Sequence, residues 1–237
     1  MTDDMHTWLE SLELRDATVL ANDVVTPRMH RLVLDATHHP VVQGYDTPGQ
    51  FVALSAEGLA PRFYALASHP RDLPQVEFLI GRAVGPADAL CACEPGERVA
   101  MSVASGAGYR MEMLRDRPVV VFTTGTGLAS VRPVIRDLVD AGAGARVSVY
   151  YGATSAADFA LGDEMDAWTR AGAAVVRVRD DATDGPRFVQ EAWIATHGDA
   201  DASAAEYVVC GSRPMQAAVV AALEARGVSP ERVHFNY

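Results

Sequence analysis

The chain has 237 residues, 49% of them hydrophobic, which is enough for one large domain or two modest ones with a buried core. Its net charge of −11 argues against nucleic acid or an anionic lipid surface as a partner, and its apolar runs are too short to span a bilayer. All 20 basic residues are arginine, which removes Schiff-base chemistry and the phosphate-binding lysine of a P-loop nucleotidase.

The opening MTDDMHTWLESLELRD is acidic and has no basic region followed by an apolar stretch, so a cytoplasmic protein is expected. Up to about Arg115 the chain reads as short strands: ATVLANDVV, HRLVLDA, GQFVALS, RFYALAS, QVEFLIG and ERVAMSVA. This density of strands suggests an antiparallel barrel or sandwich, interrupted by one helix over Pro86–Cys93 behind Gly85. Cys91 and Cys93 stand alone as C-x-C, and with Cys210 they fall short of an iron–sulfur cluster or a zinc site, so no metal is expected.

The pattern changes at MLRDRP. PVVVFTT reads as a buried strand, followed by a glycine turn and an amphipathic helix over Val131–Ala141. Then come RVSVYYGA, a helix near Asp163–Ala171, AAVVRVRD, a helix near Val189–Thr196, EYVVCGS, and a helix from Pro214 to Arg226. Strands alternating with helices predict βαβ units on a doubly wound parallel sheet. Two domains are expected, residues 1–115 and 116–237.

Gly125-Thr126-Gly127 lies between a strand and a helix, where glycines let backbone approach a ligand and the helix N-terminus suits a pyrophosphate. A third glycine of the full dinucleotide fingerprint is missing, and a turn needing glycine for geometry alone would read the same. Cys210-Gly211 ends another strand, so both pairs are expected at one crevice. DDATDGPRFVQE, residues 180–191, matches four positions of a calcium loop, but Ala182 removes a ligand and a strand precedes it instead of a helix.

In order, R-x-Y-x-x-x-S (Arg62, Tyr64, Ser68), the Gly85-initiated helix, G-T-G, YYGAT, C-G-x-x-x-M (Cys210, Gly211, Met215) and a terminal aromatic resemble the ferredoxin–NADP reductase superfamily. The resemblance covers roughly residues 17–237. It implies a flavin-binding antiparallel β-barrel followed by a nicotinamide-nucleotide-binding α/β domain, with FAD and NADH or NADPH as cofactors. It further implies that Arg62 pairs with the FAD pyrophosphate and that Tyr64, within Phe63-Tyr64-Ala65, packs on the isoalloxazine. Gly85, Pro86 and Ala87 would support the pyrophosphate, and Gly125, Thr126 and Gly127 would receive the nicotinamide nucleotide. Cys210 would act beside the nicotinamide with Gly211 and Met215, and Tyr237 would cover the flavin. Thr154 and Asp180 would stand at the coenzyme ribose, where an acidic side chain favours NADH. The family's hydroxyl after the tyrosine is replaced by Ala65, and the helix behind Gly85 carries Asp88 where Ser or Thr is usual.

The resulting expectation is an oxidoreductase that passes hydride from NADH to FAD and electrons onward. The acceptor would be separate: a small redox protein, a quinone or another small molecule. An electron-transfer subunit of a larger complex, or a binding module that kept the fold without catalysis, remain alternatives.

Overall fold

Short segments rich in Val, Leu and Ile, broken by Pro and Gly, set the first half of the structure. The computed structural model describes residues 12–56, 58–198 and 201–236. Six strands, β1 (Arg15–Thr26), β2 (Met29–Asp35), β3 (Phe51–Ser55), β4 (Arg62–Ala65), β5 (Gln75–Gly81) and β6 (Arg98–Met101), pair antiparallel in the order β4-β3-β6-β1-β2-β5. Irregularities between Val19 and Ala21 and between Val24 and Thr26 bend the long β1 and curl the sheet. Its edges are drawn together behind β4. The Ala67 amide donates to the Glu77 carbonyl at 2.7 Å, and the Glu77 amide donates to the Ser68 hydroxyl at 3.1 Å. Leu32, Leu34, Val52, Leu54, Phe78, Ile80 and Val99 fill the barrel.

Three short helices belong to this half: α1 (Val41–Gly44), α2 (Pro86–Ala92) and α3 (Met111–Leu114). The Asn22 amide ends α2 by donating to the carbonyls of Leu90, Cys91 and Cys93 at 2.8–3.2 Å. That supplies partners for carbonyls that lack them at a helix C-terminus.

The second half is a parallel sheet of β7 (Val119–Thr124), β8 (Val147–Ala153), β9 (Ala174–Arg179), β10 (Glu206–Cys210) and β11 (Val233–His234), in the order β11-β10-β7-β8-β9. Its helices are α4 (Leu128–Asp140), α5 (Gly162–Arg170), α6 (Val189–His197) and α7 (Arg213–Glu224). Period-two alternation sends Val119, Val121, Val149 and Tyr151 to the face that packs on α4 and α5. Val120, Phe122, Tyr150 and Tyr207 face α6 and α7. The strand order reverses between β7 and β10, so the loops after these two strands open a crevice at a topological switch point.

α4 begins at Leu128, three residues before the Val131 expected from periodicity, because it grows directly out of the glycine turn. Pro133 therefore lies inside the helix. Met29, Ala67, Leu79, Tyr109, Met111 and Leu114 pack into the same apolar cluster as α4, so the two halves share a continuous interface.

Candidate functional site

A cavity of about 950 Å³ lies between the barrel and the C-terminal ends of the parallel strands. The barrel contributes Phe63, Tyr64 and Ala65 of β4, Arg28 and Met29 at the β1–β2 turn, and Leu79 and Gly81 of β5. The sheet contributes Gly125, Thr126 and Gly127 after β7, Thr154 after β8, Asp180 after β9, and Cys210, Gly211 and Met215 after β10. Residues far apart in sequence thus line one crevice, as strand ends at a switch point must.

Glycine is required where the two loops cross. A Cβ on Gly127 would lie 2.4 Å from the Cys210 carbonyl oxygen, and one on Gly211 would lie 2.3 Å from Thr124 Oγ1. Gly125 holds φ +53, and its carbonyl accepts from the buried Tyr151 hydroxyl at 3.3 Å. The Ser212 amide donates to Thr124 Oγ1 at 3.2 Å, while the Ser212 hydroxyl caps α7 by accepting from the Met215 amide. The cradle is therefore bare backbone and fixed from several sides, a form suited to phosphate or a planar ring.

Cys210 stands half-buried in the wall, its thiol donating toward Asn236 Oδ1 at 3.8 Å. Burial raises its pKa, against hydrogen bonds from Ser130 and Tyr109 that lower it. The Tyr109 and Ser130 hydroxyls lie 3.1 Å apart in the interface behind it. Burial also raises the Tyr64 hydroxyl. Tyr64 packs on the barrel core, while Ala65 packs on the interface cluster, on the opposite face of β4.

The expected residues Arg62, Gly85, Pro86 and Ala87 lie outside the cavity lining. Arg62 is exposed at the start of β4, with no carboxylate partner among the described residues. Gly85 holds φ +94 ahead of α2, and a Cβ there would meet nothing within 4 Å. Asp88, whose charge faced the same end, lies 3.7 Å from Arg82. Ser68 is placed differently from a ligand-facing hydroxyl. It is fully buried, accepts from the Glu77 amide, and its carbonyl accepts from the Tyr45 hydroxyl at 2.5 Å, so it closes the barrel. Tyr237 lies outside the described residues, and its neighbour Phe235 packs on the α6–α7 side of the sheet.

Sequence reading missed Arg187 and Phe188. Both line the cavity from the segment weighed as a calcium loop. Arg187 Nε donates to the Asp180 carbonyl at 2.6 Å, and its Nη2 lies 3.3 Å from the Asp180 carboxylate, so its guanidinium offsets that charge. Phe188 leaves 48% of its surface exposed beside it. Arg177 pairs with Asp166 of α5 at 2.7 Å and does not line the cavity. The only advance signal for Arg187 was its position between Gly185-Pro186 and an apolar helix.

Residues 121–221 match the oxidoreductase NAD-binding domain family. The chain is 27% identical over 200 residues to the ferredoxin–NAD(+) reductase component of an alkene monooxygenase system from Xanthobacter autotrophicus, covering 80% of this chain and 60% of that protein. An Amycolatopsis cytochrome P450 reductase superposes with a TM-score of 0.75 at 24% identity, covering 95% of this chain and 70% of that one. A ferredoxin NADP+ reductase from Neisseria gonorrhoeae, solved with bound FAD and NADP, superposes with a TM-score of 0.75 at 17% identity, covering 94% and 97%. No helix among the described residues is long and apolar enough to cross a membrane. The chain therefore has the fold of these solved reductases, and its residues 121–221 resemble the oxidoreductase NAD-binding domain family.

Proposed function

We propose that this chain is an FAD-dependent NAD(P)H oxidoreductase that takes hydride from NADH and passes electrons to an acceptor outside the chain. Residues 1–115 form its flavin domain and residues 116–237 its nucleotide domain. The observation that carries the reading is the 950 Å³ cavity, which runs from the Tyr64–Ala65 strand to a glycine cradle at the switch point. Bound there, FAD supplies a two-electron acceptor that can release electrons onward.

The residues present fit such a group. Arg62, with no carboxylate partner among the described residues, offers a guanidinium for the pyrophosphate, and the open backbone at Gly85 and Ala87 adds N–H donors on either side of Pro86, which has none. Arg82 offsets the charge of Asp88. Tyr64 offers a half-buried ring to the isoalloxazine. Gly125, Thr126, Gly127 and Gly211 hold the nicotinamide end with Met215, and Cys210, kept as a thiol by burial, stands beside the reacting ring. Thr154 and Asp180 take the ribose, and the Asp180 carboxylate favours NADH over NADPH. Phe188 gives the adenine a face.

The relative from the alkene monooxygenase system is a ferredoxin–NAD(+) reductase component, so a protein acceptor of the oxygenase or ferredoxin kind is the first to test, with quinones and other small molecules next. A cytoplasmic setting follows from the coenzyme. The experiment is NADH-dependent dye reduction by the purified chain, with and without added FAD. FAD-dependent turnover supports the reading, and a protein that never oxidises NADH in either condition refutes it.

A further inference from the structure

We propose that Arg132 is a positioning residue that fixes the flavin-side strand against the nucleotide loop, and so sets the rate of hydride transfer without contributing to nucleotide affinity. The inference rests on the oxidoreductase reading above. Arg132 is 4% exposed on α4, one turn beyond the Gly125–Gly127 loop, and does not line the cavity.

Its guanidinium bridges the two domains. Nη1 donates to the Ala67 carbonyl at 3.0 Å and to Glu77 Oε2 at 2.6 Å, both in the barrel domain. Nε donates to Glu164 of α5 at 2.8 Å, and Nη2 donates to the same carboxylate. Glu77 is itself held by Arg31 of β2 through bonds of 3.0 and 2.7 Å. The row Arg31–Glu77–Arg132–Glu164 therefore crosses the interface with two cations and two anions. Ala67 lies two residues beyond Ala65, so one end of the bridge is attached to the strand that walls the cavity. The other end is attached to the helix that grows from the glycine cradle.

A buried charge network is a poor source of stability, since well-packed apolar residues often do as well or better. The interface around Arg132 is already apolar, with Met29, Ala67 and Leu79 against Leu128, Val131 and Ile135. Such contacts are non-directional and tolerate sliding. The hydrogen bonds of a planar fork do not, and fixing register is the best-attested use of buried polar groups. Burial alone would lower the Arg132 pKa, but Glu164 and Glu77 raise it, so the charge persists. Hydride transfer is sensitive to such register, because a misplacement of about 1 Å can cost on the order of 10²-fold in rate.

The test is Arg132→Met in the full chain. Glu77 then keeps Arg31, and Glu164, whose side chain is 31% exposed, can hydrate. Three quantities are measured: single-turnover flavin reduction by NADH, the dissociation constants of FAD and NAD+, and hydrogen exchange of the cofactor-free protein. Reduction is expected to slow by roughly ten- to 10²-fold, with both affinities within about twofold (well under 1.4 kcal/mol). Exchange is expected to rise at residues 66–68 and 128–136. Arg132→Lys should not restore the rate, because one ammonium cannot reach all three acceptors as the fork does. A wild-type rate in Arg132→Met, a loss of affinity in place of rate, or full restoration by lysine overturns the proposal. If Arg132→Met does not fold, Glu77→Gln keeps the shape and removes the charge, and a wild-type rate there overturns it equally. A wild-type chain that binds no flavin would instead defeat the oxidoreductase reading, while unchanged exchange in the cofactor-free variant would still defeat the bridge.

Discussion

Gly127 and Cys210 meet backbone to backbone across the switch point, where a Cβ on Gly127 would sit 2.4 Å from the Cys210 carbonyl oxygen. Neither partner is the flexible end of a side chain, so Gly127→Ala must displace β10 or the glycine loop. Overpacking of this kind costs about 1–3 kcal/mol. Thermal melts should show Tm falling by several degrees, with NADH binding weakened in the same variant. An unchanged Tm and an unchanged NADH affinity would mean that the two loops do not approach as described.

Coenzyme choice should follow Asp180. Its carboxylate stands at the end of β9, partly offset by the Arg187 guanidinium 3.3 Å away. Asp180→Ala removes the repulsion of a 2′-phosphate and leaves Arg187 free to meet it. The ratio of kcat/KM for NADH to that for NADPH is expected to fall roughly tenfold, which corresponds to 1.4 kcal/mol. Arg187→Ala should move the ratio the other way. A ratio that ignores both substitutions would show that the ribose binds elsewhere.

Stability should decline on mild acidification. His39 Nδ1 accepts from the Val41 amide at 3.0 Å while Nε2 donates to the Met101 carbonyl at 2.9 Å, an arrangement only the neutral ring can make. His69 Nδ1 likewise accepts from the Arg71 amide. Burial is the main cause that holds the pKa of His30, His39 and His69 below 6.5. A depressed folded pKa means that the unfolded chain binds the proton first, so stability present above about pH 6.5 is lost as pH falls through the folded values. Glu77 and Asp72, lowered by their arginine partners against the cost of burial, add a second loss only below about pH 4.5. Urea midpoints at pH 7.5 and 5.5 check this, and equal midpoints would contradict it.

The cysteines should label unequally. Burial pushes the Cys91 thiol from 9.0 up to about 11, which leaves roughly 10²-fold less thiolate at neutral pH. Alkylation at pH 7.5, followed by mass spectrometry, should therefore find Cys91 slower than free cysteine by at least that factor. Cys210 should also be slow, and NADH should slow it further without affecting Cys91, because only Cys210 lines the cavity. Protection of Cys91 by NADH would place the coenzyme wrongly.

The parts of the fold set by local pattern were legible in the sequence. Val119–Thr124 and Glu206–Cys210 are apolar runs ended by glycine, and those glycines led directly to the crossing of Gly127 with Cys210 and of Gly211 with Thr124. Features that depend on how distant segments return were not legible. Arg187 reaches Asp180 only because the 180–191 loop folds back on itself, a return that the local sequence does not encode. Arg132 sits in an amphipathic helix, where an arginine between Val131 and Pro133 reads as part of a polar face. It is buried because the barrel covers that face, and nothing in the helix itself shows which face the barrel meets. Ser68 shared the spacing of a ligand strand, but β4 ends at Ala65 and the chain has turned into the barrel seam by Ser68.

The central claim is that one cavity brings FAD and NADH together, and an anaerobic titration tests it most directly. The purified full chain, loaded with FAD, is scanned in the visible range while NADH is added. The account predicts about one FAD per chain and complete bleaching of the flavin band by about one equivalent of NADH, since each coenzyme carries two electrons. A chain that retains no flavin after FAD is added, or a bound flavin that stays oxidised under excess NADH and NADPH, would contradict it.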